Sequence, residues 1–355
     1  MKRRFGFIYY LKKLPHAAVI TVLLIVAFEV FIRLNESHFT GAFNGIVLER
    51  KKALKNPNIR HDIVILGDSR YYSLRPDLVE KKLKGNLRVG NYCWPFEGIE
   101  AYEYMLDAIV EYKKPPRAII ASLPPDYFAI PEKNLTCTQS RIYRIRMFNV
   151  FPDFFILGKA IKERSRPLFW DFLSYKITPL SSRYRSKVTS VLFNLLSSLS
   201  WPPLDDDEYR ILEQEKQYGS FLIFDDERAT SQAWKSYEKV YAPIARYHHS
   251  RILAKFERFL EKAKNRDITV ILFNTPLLEE QYRIFKDKGI VEGYETQVRE
   301  WARIFPNFQY IEPYLYSYPD YLFADPGHLN FQGDQKFREF YPLALAEKIN
   351  SLSSQ

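Results

Sequence analysis

The sequence predicts an α/β protein built on a parallel sheet with helices on both faces. Three apolar runs, Ile63–Leu66, Ala118–Leu123 and Ile268–Phe273, each stop at a Gly, Pro or Asn, as short buried strands do. Stretches with helical spacing separate them, and strand–helix alternation of this kind gives a parallel sheet covered on both sides.

The elements follow in order. Met1–Lys13 carries five basic residues and no acid, and 14–32 is then nearly unbroken apolar sequence with Glu29 as its exception. About twenty such residues cross a bilayer as a helix, with the basic flank left in the cytoplasm. Phe28–Arg33 offers no small-residue cleavage site, so an uncleaved anchor is expected rather than a cleaved signal or a buried core helix. This places the chain at a bacterial inner membrane as a single-pass protein, with its folded part on the extracytoplasmic side. Residues 33–60 read as a polar, basic neck.

Ile63–Leu66 is the first strand, closed by Gly67-Asp68-Ser69, and a helix starts at Pro76. Leu87–Asn91 is a weaker second strand. Gly98–Tyr112 is a helix with Ile99, Tyr102, Met105, Leu106 and Ile109 on one stripe. The third strand, from Ala118, stops at Pro124-Pro125. Residues 131–235 interrupt the alternation and read as a large, mainly helical insertion or cap. Tyr237–Lys264 is a long helix, Ile268–Phe273 the fourth strand, Gln297–Phe305 helical, Phe308–Ile311 the fifth strand, and Asn330–Asn350 a closing helix. The expected organisation is a tail (1–13), an anchor (14–32), a neck (33–60), an α/β domain in two parts (61–130 and 236–355) and the insertion (131–235).

Of the net charge of +10, most lies in residues 131–200, which hold twelve Lys/Arg against four Asp/Glu beside many aromatics. An exported chain seldom meets nucleic acid, so a nucleic-acid partner is set aside. An anionic membrane surface or an acidic envelope polymer fits the excess better, and a merely solvated surface is the alternative. Cys93 and Cys137 have no metal-ligand spacing; they form one disulfide or remain two thiols. The adjacent His248-His249 face apart on a helix, and no carboxylate cluster accompanies them. Neither a metal nor a cofactor is expected.

Serine becomes a nucleophile only when a base takes its proton. Ser69 sits at a strand-to-turn junction, which exposes its hydroxyl at the carboxyl end of a parallel strand, where sites in such sheets lie. Near the far end, Asp325-Pro326-Gly327-His328 forms a turn just before the last helix. There the carboxylate can hold one imidazole nitrogen while the other faces the serine.

On Gly67-Asp68-Ser69 and Asp325-Pro326-Gly327-His328, in that order, the sequence resembles the SGNH (GDSL) hydrolase family over residues 61–130 and 265–340. The resemblance implies a flavodoxin-like, three-layer sheet, a Ser69–His328–Asp325 triad and attack on an ester. The family's oxyanion hole uses the serine amide, a glycine and an asparagine. Here the Gly-x-Asn-Asp block is replaced by Ser122-Leu123-Pro124-Pro125-Asp126, leaving Ser69, Gly98 and Asn91 as the candidate oxyanion groups. Asn274, which ends the fourth strand, reads as a turn residue. An anchored SGNH domain lacking that block is similar to envelope O-acyltransferase and D-alanyl transfer proteins, on architecture alone. The expected function is transfer or hydrolysis of an O-acyl ester on an envelope glycan or polymer through an acyl-Ser69 intermediate, with a membrane acyltransferase as a candidate partner. The rival is a non-catalytic SGNH-like envelope protein that binds a glycan or such a partner.

Overall fold

The computed structural model describes residues 16–34, 46, 50, 52–53, 56, 58–93, 98–112, 115–129, 148, 153–162, 164–178, 206–218, 220 and 251–352. Four strands open the count: β1 (Ile63–Leu66), β2 (Val89–Asn91), β3 (Ala118–Ala121) and β4 (Thr269–Leu272). Three short ones follow, β5 (Leu277–Leu278), β6 (Phe308–Tyr310) and β7 (Ser317–Tyr318). The central sheet runs β2-β1-β3-β4-β6, and every pairing in it is parallel. Numbered among themselves, its strands follow the 2-1-3-4-5 order of flavodoxin-like sheets, whose switch point lies between the first and third strands.

Alternate residues of each strand leave on opposite faces, which divides the core in two. Val64, Leu66, Ile119, Ala121, Val270 and Leu272 pack on one side with α3 (Gly98–Tyr112), α8 (Arg251–Lys264), α9 (Glu279–Asp287) and α10 (Ile290–Ile304). Ile63, Ile65, Ala118, Ile120 and Ile271 face the other, against α2 (Pro76–Glu80) and α11 (Phe331–Leu352). The result is three layers. Helix α3 matches the predicted span, and its predicted stripe of Tyr102, Met105, Leu106 and Ile109 is buried. On the same face Lys262 of α8 reaches Asp107 of α3 at 2.7 Å.

Beyond α4 (Asp126–Ala129), the described parts of the insertion are α5 (Asp153–Lys162), α6 (Arg166–Ile177) and α7 (Asp206–Tyr218). Its described residues build no core of their own. Phe148, Ile156, Ala160, Leu168 and Phe172 join the first core, and Ile211 joins the second. The pair His248-His249, Cys137 and the first half of the helix expected from Tyr237 lie outside the described residues.

The apolar run near the start is helical as α1 (His16–Leu34), with Ile20, Leu23 and Leu24 more than half exposed. Among the described residues no helix is long and apolar enough to cross a membrane, and the first two residues of the span expected over 14–32 lie outside the described set. Ile32 is fully buried, so the end of α1 packs on protein. The neck is also less detached than its polarity suggests. Ile46 enters the second core, and the Arg50 guanidinium is buried, donating to both Glu215 oxygens at 2.9 and 2.7 Å and to the Cys93 carbonyl at 2.6 Å.

Candidate active site

β1 ends at Leu66, and the chain turns at once into a short 3-10 helix over Ser69–Tyr71, capped by Asp68. Gly67 is required for this turn, because a Cβ there would lie 2.8 Å from Tyr71 Cγ. The Asp68 carboxylate accepts from the Arg70 amide at 2.9 Å, which leaves Ser69 at the head of the turn. Its hydroxyl thus stands beyond the carboxyl end of β1, at the switch point of the sheet.

The partners arrive from the far end of the sequence. Strands β8 (Phe323–Asp325) and β9 (His328–Leu329) form an antiparallel hairpin closed by Pro326-Gly327, with Asp325 opposite His328. The hairpin is pinned from behind. Asn330 is buried, donates to the Tyr321 carbonyl at 2.7 Å and accepts from the Gly333 amide at 2.9 Å, capping α11. Gly333 admits no side chain, since a Cβ would meet the Leu322 carbonyl oxygen at 2.0 Å.

These elements bring Ser69, His328 and Asp325 into one chain of hydrogen bonds. His328 Nε2 lies 2.8 Å from Ser69 Oγ, and His328 Nδ1 lies 2.9 and 2.8 Å from the two Asp325 oxygens. An ionised carboxylate only accepts, so the proton sits on Nδ1, and Nε2 is left to accept from the serine hydroxyl. Burial pushes the Asp325 carboxyl up. The His328 hydrogen bond and charge and the amides of Gly327 (2.7 Å) and His328 (3.0 Å) outweigh it, holding the carboxyl below its ordinary range.

The other predicted residues are placed differently. Asn91 is buried and gives both amide hydrogens to backbone, to Tyr71 O and Leu74 O at 2.9 Å each, while its carbonyl accepts from the Cys93 amide at 3.0 Å. It braces the turn behind Ser69 and has no hydrogen left for a reacting oxygen. Asn274 is similarly engaged with Tyr294 Oη (2.6 Å), Tyr314 O (3.1 Å) and Leu123 N (3.0 Å). Gly98 opens α3, and the residues leading into it, 94–97, lie outside the described set. Of the three oxyanion candidates only Ser69 is placed at the site with an amide that donates to no group among the described residues. Cys93 is a free, buried thiol; burial pushes it well above its ordinary range, so it is no nucleophile.

Two sets of side chains escaped the reading of the sequence. Arg70, next to Ser69, forks onto Asp68 (Nη2 at 2.7 Å, Nε at 3.0 Å) and reaches Asp126 Oδ2 with Nη1 at 3.1 Å. Asp126 also accepts from Gln281 at 3.2 Å. This network ties the end of β1 to the end of β3, where the expected Gly-x-Asn-Asp block is missing. The second set is three buried tyrosines. Tyr71 donates to the Phe273 carbonyl, Tyr102 to the Ser122 carbonyl at 2.7 Å, and Tyr294 to the Leu123 carbonyl at 3.0 Å. Burial raises all three phenols, so they stay neutral donors that hold the strand ends together. The 25 tyrosines in the sequence were the available signal, and nothing in their spacing picks out these three.

The model of the family described as a protein of unknown function, DUF1574, matches residues 28–333, and the chain belongs to that family. The match runs from within α1 to the start of α11, so it contains Ser69, Asp325 and His328 together. No curated protein matches the chain.

Proposed function

We propose that this chain is an SGNH-type serine acyl enzyme. The observation that carries the reading is the continuous Ser69–His328–Asp325 hydrogen-bond chain at a parallel-sheet switch point. Attack by Ser69 Oγ on an ester carbonyl passes the serine proton to His328 Nε2. The carboxylate of Asp325 steadies the imidazolium, and the same imidazolium returns the proton to the departing alcohol. The open amide of Ser69 faces the oxygen on which charge develops. An acyl-serine results, and its fate depends on whether water or a held hydroxyl attacks it.

The substrate we infer is an O-acyl ester of an envelope glycan or polymer. The basic N-terminal flank, the apolar run behind it and the cationic insertion all favour a site held close to a membrane, with residues 14–32 as the anchor and the domain outside the cytoplasm. A membrane acyltransferase is the partner that would supply acyl groups there. Engagement of both Asn91 and Asn274 by backbone favours the second reading, a non-catalytic glycan- or partner-binding protein. The test is turnover of a p-nitrophenyl acyl ester with increasing oligosaccharide acceptor. Acylated acceptor formed at the expense of free acid marks a transferase, and free acid alone marks an esterase. No turnover in either form leaves the binding protein.

A further inference from the structure

Helix α6 is apolar on two opposite faces. At 100° per residue, Leu168, Phe172 and Tyr175 fall on one stripe, and this stripe packs into the protein, with Phe148 stacked edge-on against Phe172 at 5.4 Å. Phe169, Trp170, Leu173 and Ile177 fall on the other, where a water-facing helix carries polar residues. These four are 38, 61, 37 and 72 % exposed. Ile161, at the end of α5, extends the patch and is 73 % exposed. Arg166 begins the same outward stripe, and Arg164 stands in the connection between α5 and α6. A cleft of about 300 Å³ opens beside them, walled by both arginines, Ser165, Phe169 and Trp170.

We propose that the α5–α6 hairpin lies on an anionic phospholipid bilayer, with Phe169, Trp170, Leu173 and Ile177 in the interface and Arg164 and Arg166 on the lipid phosphates. Exposed aromatic and branched side chains gain free energy at the boundary between headgroups and acyl chains, where an indole places its ring in lipid and its N–H in water. The charge selects among apolar partners. Arg164 and Arg166 make no ion pair among the described residues, and the surrounding 131–200 segment holds twelve Lys/Arg against four Asp/Glu. A surface of like composition on a partner protein would need a dense acidic patch; a bilayer of anionic lipid supplies that charge everywhere. The inference stands apart from the triad and gives the insertion a membrane contact separate from α1.

The test uses the full-length chain with vesicles of brominated phosphatidylglycerol or brominated phosphatidylcholine, read by tryptophan fluorescence. Bromine quenches only indoles that enter the acyl region. Phosphatidylglycerol should quench the wild type clearly more than phosphatidylcholine, and Trp170→Phe should remove most of that quenching. The double variant Arg164→Gln/Arg166→Gln should reduce it several-fold on phosphatidylglycerol while leaving the variant folded by circular dichroism, because the side chains it alters lie at the surface. Equal quenching of wild type and Trp170→Phe overturns the proposal, as does equal quenching by the two lipids. If Trp170 stays accessible to aqueous iodide in the presence of vesicles, the face is not a lipid contact and the proposal fails.

Discussion

On one side of Ser69, each polar side chain offers its hydrogen-bonding group to the next: Asp325 to His328 Nδ1, and His328 Nε2 to the serine hydroxyl. On the other side, Asn91 and Asn274 give all their amide hydrogens away from the site, to main-chain carbonyls and to Tyr294. The residue types look equally suitable in both places. What separates them is the competition. The carboxylate of Asp325 takes the amides of its own hairpin turn on Oδ1 and still faces His328 with both oxygens, whereas the two asparagines, at the ends of buried strands, have no amide hydrogen left over. The main-chain carbonyls of Tyr71, Leu74 and Tyr314 take amide hydrogens from them, and a buried polar group left unpaired costs about 1–3 kcal/mol. Satisfying the backbone therefore claims the asparagines before chemistry can.

Substitutions sharpen this contrast. Ser69→Ala and His328→Ala should each lower the rate of labelling by an activated-serine reagent by about 10⁴-fold or more, with melting temperatures near that of the wild type. Asp325→Asn should cost up to about 10⁴-fold, since it removes the group that fixes the imidazole tautomer. It should also flatten acid sensitivity. The folded carboxyl lies below its ordinary range, so its ionised form favours the fold. That stability is present above the unfolded value of about 3.9 and is lost as pH falls through the lowered folded value. The stability gap between wild type and Asp325→Asn, followed by denaturant titration, should therefore close in acid.

A smaller effect is expected at Arg70. Its fork on Asp68 and its reach to Asp126 hold the turn that carries Ser69, and a lysine cannot reproduce that geometry. Arg70→Lys should slow labelling by about tenfold, through a misplaced serine. The smallest effect on labelling, and the largest on stability, belongs to Asn91→Ala. Three lost hydrogen bonds should cost about 2–3 kcal/mol of folding stability, while the protein that remains folded labels within about threefold of the wild type. A hundredfold slower reaction with an unchanged melting temperature would return Asn91 to the oxyanion site and erase the contrast.

The same competition explains what could be read from the sequence. The five strands of the parallel sheet and helix α3 were legible because four-residue apolar runs and a 3.6-residue stripe are local patterns. Ser69, Asp325 and His328 were legible because a strand end and a Pro-Gly turn fix where the side chains go. The reach of Arg70 to Asp126 and the tyrosine bridges were not, because these partners lie between 20 and 202 positions away and any Tyr or Arg could have filled the role. Nor did polarity reveal that Arg50 would be buried: its partner Glu215 is 165 residues distant. The predicted neck is tied to the insertion only once the chain folds.

The proposed chemistry requires an activated Ser69. Treating the purified full-length chain with a fluorophosphonate and mapping the adduct by peptide mass spectrometry tests it most directly. One adduct is expected, on Ser69, formed by the wild type and absent from His328→Ala. An unlabelled wild type, or an adduct on another residue that persists in Ser69→Ala, would contradict it.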